Sequence, residues 1–281
     1  MLETLYEIGG LVMTKKLVGI GDSLEFPLIY CNGDSYSDEN FHAILKGQTY
    51  SHVVNNHFDG YVINRAISGS CNRRIIRTSV HDLIQQRQVN PTQKIIALIG
   101  LSFEVRSELW KENTIVKHEQ ESQFCTHIFT KTNNWRDLLL EGVDISDKTH
   151  QSKADNAFFD KYSQGRAYYY SPYAERSNLL CDCVMFQSLM KILDIKFLMF
   201  QSPKAEKLES EYLVDFFKSQ LDTRNFFDFE NFGFVDWCHQ QGFVPLDFLD
   251  RPEIGHPHAI AHRAFAEQIL IPHVERLNAT N

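Results

Sequence analysis

Two Gly-Asp-Ser tripeptides lie near the start of the chain, and a histidine with a nearby carboxylate lies near its end. Gly21–Ser23 and Gly33–Ser35 each follow a short apolar run. A serine in a turn after a buried strand is a nucleophile if a base takes its proton. His256 is the best candidate base, and Glu253, three residues earlier, could orient its Nδ1. These residue types predict nucleophilic catalysis by a serine, with a hydrogen bond between its Oγ (Ser35 Oγ for the second tripeptide) and His256 Nε2.

The spacing to the next candidate turn favours Ser35 over Ser23. From Ser35 to Gly69 is 34 residues (69 − 35), which is room for one turn, one helix and one strand. From Ser23 it is 46 residues (69 − 23), and the apolar run at Leu28–Cys31 would have no role. Ser35 is therefore the predicted nucleophile, and the alternative for Ser23 is an ordinary surface turn.

Strand-like and helix-like patterns alternate along the chain. Four apolar runs bounded by turn residues predict buried parallel strands at Leu28–Cys31, Tyr61–Ile63, Lys94–Gly100 and Ile195–Gln201. Helical patterns cover residues 41–58, 72–88, 173–194 and 259–277. This alternation predicts an α/β fold, with a mostly parallel sheet between two helical layers. Ligands of such sheets lie beyond the carboxyl ends of the strands, where both Gly-Asp-Ser turns would be.

The stretch from about residue 104 to 173 breaks this rhythm. It is polar, rich in aromatic residues and longer than an ordinary connection. We interpret it as an insertion after the third strand. Apart from this insertion, residues 1–281 are predicted to form a single domain.

Four short blocks in this order resemble the SGNH (GDSL) hydrolase superfamily of serine esterases, lipases and carbohydrate deacetylases. They are Gly33-Asp34-Ser35, Asn64-Arg65-Ala66-Ile67-Ser68-Gly69, Gly100-Leu101-Ser102 and Glu253-Ile254-Gly255-His256. The resemblance implies a three-layer α/β/α fold with a flavodoxin-like sheet. The chain departs from the family pattern at Glu253, where the family has aspartate, and at Ser102, where it has asparagine.

The resemblance also implies a role for each matched residue. Ser35 is the nucleophile, His256 the base and Glu253 its partner, although Asp250 or Asp247 could replace Glu253 if the loop bends differently. The oxyanion donors are the N–H groups of Ser35 and Gly69, with the Ser102 hydroxyl as a third.

Three further residues are candidates for substrate binding: Asp34, Asn72 and Arg106. Arg106 matches an arginine that some relatives carry four residues after a Trp-Ser/Thr segment. Asp34 could equally be a turn residue, and Asn72 could equally cap a helix.

Composition excludes several other functions. The net charge of -8 argues against binding to nucleic acid or an anionic membrane. The six cysteines form no C-x-x-C pair. The start of the chain does not resemble a signal peptide, and no apolar stretch reaches the ~18 residues of a membrane span.

The expectation is a cytoplasmic protein with reduced thiols, no cofactor and no metal. His258 and His262 have zinc-like spacing, but helix packing explains His262 better.

The predicted function is hydrolysis of an ester, most plausibly an O-acyl or O-acetyl ester of a carbohydrate or small molecule. The setting would be intracellular, or that of a phage-encoded enzyme. The alternative is a non-catalytic glycan-binding or virion-associated protein that keeps the fold, and serine at position 102 favours it.

Overall fold

The computed structural model describes residues 26–104, 171–227, 230–249 and 255–279, together with the backbone of four short strands outside these ranges. The eight strands of these parts are β1 (Tyr6–Ile8), β2 (Leu11–Met13), β3 (Leu28–Asn32), β4 (Tyr61–Asn64), β5 (Ile95–Leu101), β6 (Arg106–Trp110), β7 (Phe124–Ile128) and β8 (Lys196–Gln201). Gly21–Ser23 lies outside the described residues.

The four predicted strands form one parallel sheet in the order β4-β3-β5-β8. In chain order this is second, first, third, fourth, which is the order of flavodoxin-like doubly wound sheets. Phe226 forms a parallel bridge with Met199 of β8 and so occupies the fifth position. The predicted α/β fold is confirmed in the described part of the chain.

The helices of the described residues cover both faces of this sheet. They are α1 (Tyr50–His57), α2 (Asn72–Val89), α3 (Pro172–Ile192), α4 (Tyr212–Ser219), α5 (Phe234–Gln240), α6 (Ala259–Phe265) and α7 (Ile271–Ala279), with a π-helical turn at Ala266–Leu270 between the last two. None of these helices is both long enough and apolar enough to span a bilayer.

The alternation of side chains along β3 separates two cores. Leu28 and Tyr30 pack with α2, α3 and α4 on one face of the sheet. Ile29 and Cys31 pack with α1, α5, α6 and α7 on the other. All five β3 residues are buried, as expected for a central parallel strand covered on both faces. This packing holds the carboxyl end of β3, where the Ser35 turn begins.

One predicted helix is much shorter than its pattern. Of residues 41–58, only Tyr50–His57 forms an α-helix, preceded by a single 3₁₀ turn at Ala43–Leu45. Gly47 has a φ of +69°, which lies outside the right-handed helical region and breaks the pattern. The prediction of a continuous helix there was wrong. The non-helical segment carries Phe41 and His42 to the candidate site.

Within the predicted insertion, the structure describes two strands, β6 and β7, between its two ends. β6 pairs antiparallel with β7, separately from the central sheet. The extent of the insertion and the single-domain organisation stay predictions.

Candidate active site

The Ser35 turn is held by close contacts at the carboxyl end of β3. Asn32 Oδ1 accepts a hydrogen bond from the Gly33 N–H at 2.9 Å, and Asn32 Nδ2 lies 2.8 Å from Thr78 Oγ1 on α2. A Cβ on Gly33 would lie 2.5 Å from Ser37 Oγ and 3.0 Å from the carbonyl oxygen of Gly100. Only glycine fits there without displacement of its neighbours, so the residue types at this strand end shape the turn that presents Ser35.

Asp34 supports the turn from inside the protein. Its side chain is fully buried. Oδ2 accepts a hydrogen bond from Ser102 Oγ at 2.7 Å, and Oδ1 accepts one from the Tyr36 N–H at 3.2 Å. With both oxygens engaged, Asp34 fits a structural role in the turn rather than its predicted candidacy for substrate binding.

Ser102 and Asn72 form a reciprocal pair behind the turn. The Ser102 N–H donates to Asn72 Oδ1 at 2.6 Å, and Asn72 Nδ2 donates to the Ser102 carbonyl at 3.0 Å. The single hydroxyl proton of Ser102 is donated in a hydrogen bond to Asp34 Oδ2. In this geometry Asp34 engages the Ser102 hydroxyl, and the Ser102 backbone engages the Asn72 amide. The roles expected of them, a third oxyanion donor and a substrate contact, stay predictions.

The turn after β4 is fixed by Asn64 and Asp38. Asn64 Oδ1 accepts from the Ala66 N–H at 3.0 Å, and Asn64 Nδ2 donates to the Ser37 carbonyl at 2.9 Å. Asp38 Oδ2 accepts from the Ser68 N–H at 3.0 Å. These bonds place the residue after Ser68, Gly69, beside the Ser35 turn.

Two backbone N–H groups at this point are free to bind an anion. The Ile67 N–H donates to the Gly33 carbonyl at 3.2 Å and so joins the two turns. Gly69 has a φ of +80°, a conformation that favours glycine. Neither the Ser35 N–H nor the Gly69 N–H has an acceptor in the part of the chain that the structure describes. Both predicted backbone donors therefore suit an oxyanion hole.

Asp247 holds His256 from two directions. Asp247 Oδ1 accepts from the His256 backbone N–H at 2.8 Å, and Asp247 Oδ2 lies 2.7 Å from His256 Nδ1. Because a carboxylate only accepts, Nδ1 carries the proton and Nε2 keeps its lone pair. His256 is thereby in the form that a general base requires.

Asp247 occupies the position that the sequence favoured for Glu253. Glu253 and Asp250 lie outside the described residues, whereas Asp247 was the remaining alternative. The Leu246 N–H donates to the His256 carbonyl at 2.8 Å and brings the two segments together. A Cβ on Gly255 would lie 2.4 Å from Pro245 Cβ, so glycine permits this close approach.

The surroundings set the charge states of this pair. Burial lowers the pKa of His256 below its ordinary value, although the Asp247 carboxylate opposes the shift. Burial acts to raise the pKa of Asp247, but the hydrogen bonds and charge of His256, together with His42, outweigh it and the pKa is lowered. A neutral imidazole beside an ionised carboxylate is the combination expected near neutral pH.

Aromatic side chains surround the His256 ring. Tyr36, the neighbour of Ser35, stacks on it at 4.9 Å between centroids, and Phe41 lies at 4.4 Å. His256 Nε2 is buried and makes no hydrogen bond with any described residue, so the predicted bond to Ser35 Oγ is not formed in this structure. Such bonds are often long in enzymes without substrate and tighten when substrate binds.

His42 is a member of the site that no sequence pattern indicated. Its Nε2 lies 3.2 Å from Asp247 Oδ2, although the contact lacks the alignment of a hydrogen bond. The centroid of its ring is 5.2 Å from that of His256. A single histidine inside an apparent helical pattern gives no indication that it lies beside Asp247 and His256.

The remaining candidates are less central. His262 is buried, its Nδ1 accepts from the Tyr50 N–H at 3.3 Å, and burial lowers its pKa to about 3. These features fit helix packing, as the sequence favoured over zinc binding. Arg106 begins β6, and its side chain lies outside the described residues.

Comparisons with known proteins give structural likeness only. No family model matches the chain, and no curated protein matches it. It is similar to the psychrotrophic esterase EstA from Pseudoalteromonas sp., solved in a form inhibited by monoethylphosphonate, at 10% identity and a TM-score of 0.43, over 90% of this chain and 99% of that one. It is also similar to a member of the lipolytic protein G-D-S-L family from Veillonella parvula DSM 2008, at 12% identity and a TM-score of 0.39, over 87% and 96%. Both TM-scores lie below 0.5, so the assignment of function rests on the geometry of this chain.

Proposed function

We propose that this chain is a serine hydrolase that cleaves a carboxylic ester through an acyl-enzyme, with Ser35, His256 and Asp247 as its triad. The observation that carries the proposal is the Asp247–His256 pair. The carboxylate holds Nδ1 at 2.7 Å, and the ring stacks on the residue next to Ser35. These contacts support a triad of nucleophile, base and orienting acid of the kind that acyl transfer requires.

Each step has a group to perform it. His256 Nε2 accepts the Ser35 hydroxyl proton while Oγ attacks the ester carbonyl carbon. The negative charge on the carbonyl oxygen is stabilised by the N–H groups of Ser35 and Gly69. The tetrahedral intermediate expels the alcohol, which takes the proton from His256. Water then attacks the acyl-enzyme by the same route, releases the carboxylic acid and restores Ser35.

The substrate class that we propose is an O-acyl or O-acetyl ester of a carbohydrate or another small molecule. Phe41 and Phe248 lie against His256 at 4.4 and 6.3 Å between ring centroids, and both are partly exposed. They supply an apolar wall beside the base, on which the face of a ring can pack.

One observation favours a second function, that of a non-catalytic binding protein. The Ser102 hydroxyl donates its hydrogen bond to Asp34 and not to a substrate oxyanion. An oxyanion hole with two donors is weaker than one with three. A non-catalytic glycan-binding protein, including a virion-associated one, is therefore the alternative.

Hydrolysis of p-nitrophenyl acetate distinguishes the two. The proposal predicts that Ser35→Ala lowers kcat by roughly 10⁴-fold or more, whereas Ser23→Ala, the matched change in the other tripeptide, retains activity. A wild-type protein no faster than Ser35→Ala would support the binding protein. Loss of activity in Ser23→Ala alone would move the nucleophile to the first tripeptide.

A further inference from the structure

Three metal-ligand side chains meet at the candidate site. His42, Asp247 and His256 each offer one ligand atom, and these three atoms lie within 4.8 Å of one another. Among the described residues, this is the one group of three His, Cys, Asp or Glu side chains that could hold a metal ion together. Two imidazoles and a carboxylate, with water as the fourth ligand, form a common open zinc site.

Two of the three separations are close to those that a bound ion would require. Two ligand atoms, each about 2.1 Å from a tetrahedral ion, lie about 3.4 Å apart. His42 Nε2 is 3.2 Å from Asp247 Oδ2, and His256 Nδ1 is 2.7 Å from the same oxygen. A rotation of the Asp247 carboxylate lengthens these two separations, and the two imidazoles, whose ligand atoms lie within 4.8 Å of each other, adjust to the same ion.

One ligand atom lacks a competing partner. His42 Nε2 is buried and makes no hydrogen bond with any described residue, although it points at a carboxylate. An orphaned nitrogen beside an anion is a site for either a proton or a metal ion. The side chains of His42 and Asp247 are 27% and 28% exposed, against 7% for His256, so an ion would enter from the side of His42.

We propose that Zn²⁺ binds to His42 Nε2, Asp247 and His256 Nδ1 and reversibly inhibits the enzyme. The inhibition, though not the binding, rests on the proposed function. Nitrogen ligands select Zn²⁺ over Mg²⁺ or Ca²⁺, which prefer oxygen. The site is regulatory, because the hydrolytic steps above use no ion.

The mechanism of inhibition is a change of tautomer. When Zn²⁺ takes the Nδ1 lone pair, the imidazole remains neutral and its proton moves through solvent from Nδ1 to Nε2. Nε2 then donates a proton and cannot accept one from Ser35. Asp247 is bound to the ion and no longer orients the base.

Isothermal titration calorimetry of the full-length protein with ZnCl₂ tests the binding without reference to activity. The wild-type protein should bind one equivalent, and His42→Gln should bind at least about tenfold more weakly. His57→Gln is the matched control, since His57 also pairs with a carboxylate, Glu275 Oε1 at 3.0 Å, but on an exposed surface. Its affinity should equal that of the wild type. Equal affinity in His42→Gln, or no binding by the wild type, would overturn the proposal.

The inhibitory role is tested by p-nitrophenyl acetate hydrolysis with ZnCl₂, with MgCl₂ as the comparison. Inhibition of the wild type should be reversed by a chelator, and the inhibitory concentration should rise at least about tenfold in His42→Gln. Stoichiometric binding without loss of activity would overturn the tautomer mechanism. If the wild-type protein lacks activity altogether, the calorimetric result still decides whether the zinc site exists.

Discussion

Asp247 contacts both the backbone N–H and the side chain of His256, at 2.8 and 2.7 Å. The two contacts fix the position of the residue and the orientation of its ring at once. The two residues are nine positions apart along the chain, so the loop between them must fold back. The account of the site depends on this relationship more than on any other.

Asp247→Asn should lower kcat by roughly 10⁴-fold, because an amide in place of the carboxylate favours the wrong tautomer of His256. Folding stability should change little, since the shape of the side chain is kept. Steady-state kinetics and thermal unfolding measure the two effects. Glu253→Gln is the control, because it removes a carboxylate from the same loop. If Glu253→Gln gave the large loss and Asp247→Asn did not, the orienting acid would be Glu253.

The dependence of kcat/KM on pH should reflect the lowered pKa of His256. The base works only when it is neutral, and burial keeps it neutral to a lower pH than a free histidine. The acidic limb should therefore have its midpoint below the ordinary value of about 6.5. A midpoint above 6.5 would mean that the Asp247 charge outweighs burial at His256.

Stability should fall in acid because of His262. Its pKa is about 3 in the folded protein, below that of an unfolded chain, so the unfolded state binds more protons between about pH 6.5 and 3. The free energy of unfolding therefore decreases as the pH falls through this range, by up to about 1.4 kcal/mol per pH unit from this group. Urea unfolding at pH 7.5 and 5.0 measures the decrease, and His262→Gln should reduce it. An unchanged decrease in the variant would assign it to other groups.

Ser102→Ala should destabilise the protein by about 1–3 kcal/mol, since it removes the hydroxyl that donates to Oδ2 of the buried Asp34 carboxylate. Activity should also fall, because the Ser35 turn loses support. Ser202→Ala is the matched control, since Ser202 Oγ is buried with no hydrogen-bond partner among the described residues. Urea unfolding should show a smaller loss for Ser202→Ala. Equal losses would mean that the Ser102–Asp34 bond contributes nothing specific.

The strands of the central sheet were predictable because continuous apolar runs between turn residues are a local signal. Ser35 and His256 are candidates because of the short motifs around them, which are also a local signal. Asp247 was one alternative among three, because its contact with His256 depends on a loop closed by Leu246 and by the packing of Gly255 on Pro245. His42 could not be predicted, since tertiary folding alone brings it to Asp247.

The site also departs from local expectation at Ser102. The sequence predicts that its hydroxyl replaces a family asparagine as an oxyanion donor. Whether a hydroxyl faces a substrate or a buried carboxylate depends on the rotamer and on neighbours distant in sequence. Here Asp34, 68 residues away, accepts the hydrogen bond from the hydroxyl.

The most direct test of the central claim is to label the folded protein with a fluorophosphonate. Peptide mass spectrometry after digestion then locates the adduct. Such probes react with an activated serine and not with ordinary hydroxyls. The account predicts a single adduct on Ser35, lost in Ser35→Ala and strongly slowed in Asp247→Asn. An adduct on Ser23, or none on a protein whose folding is verified, would contradict it.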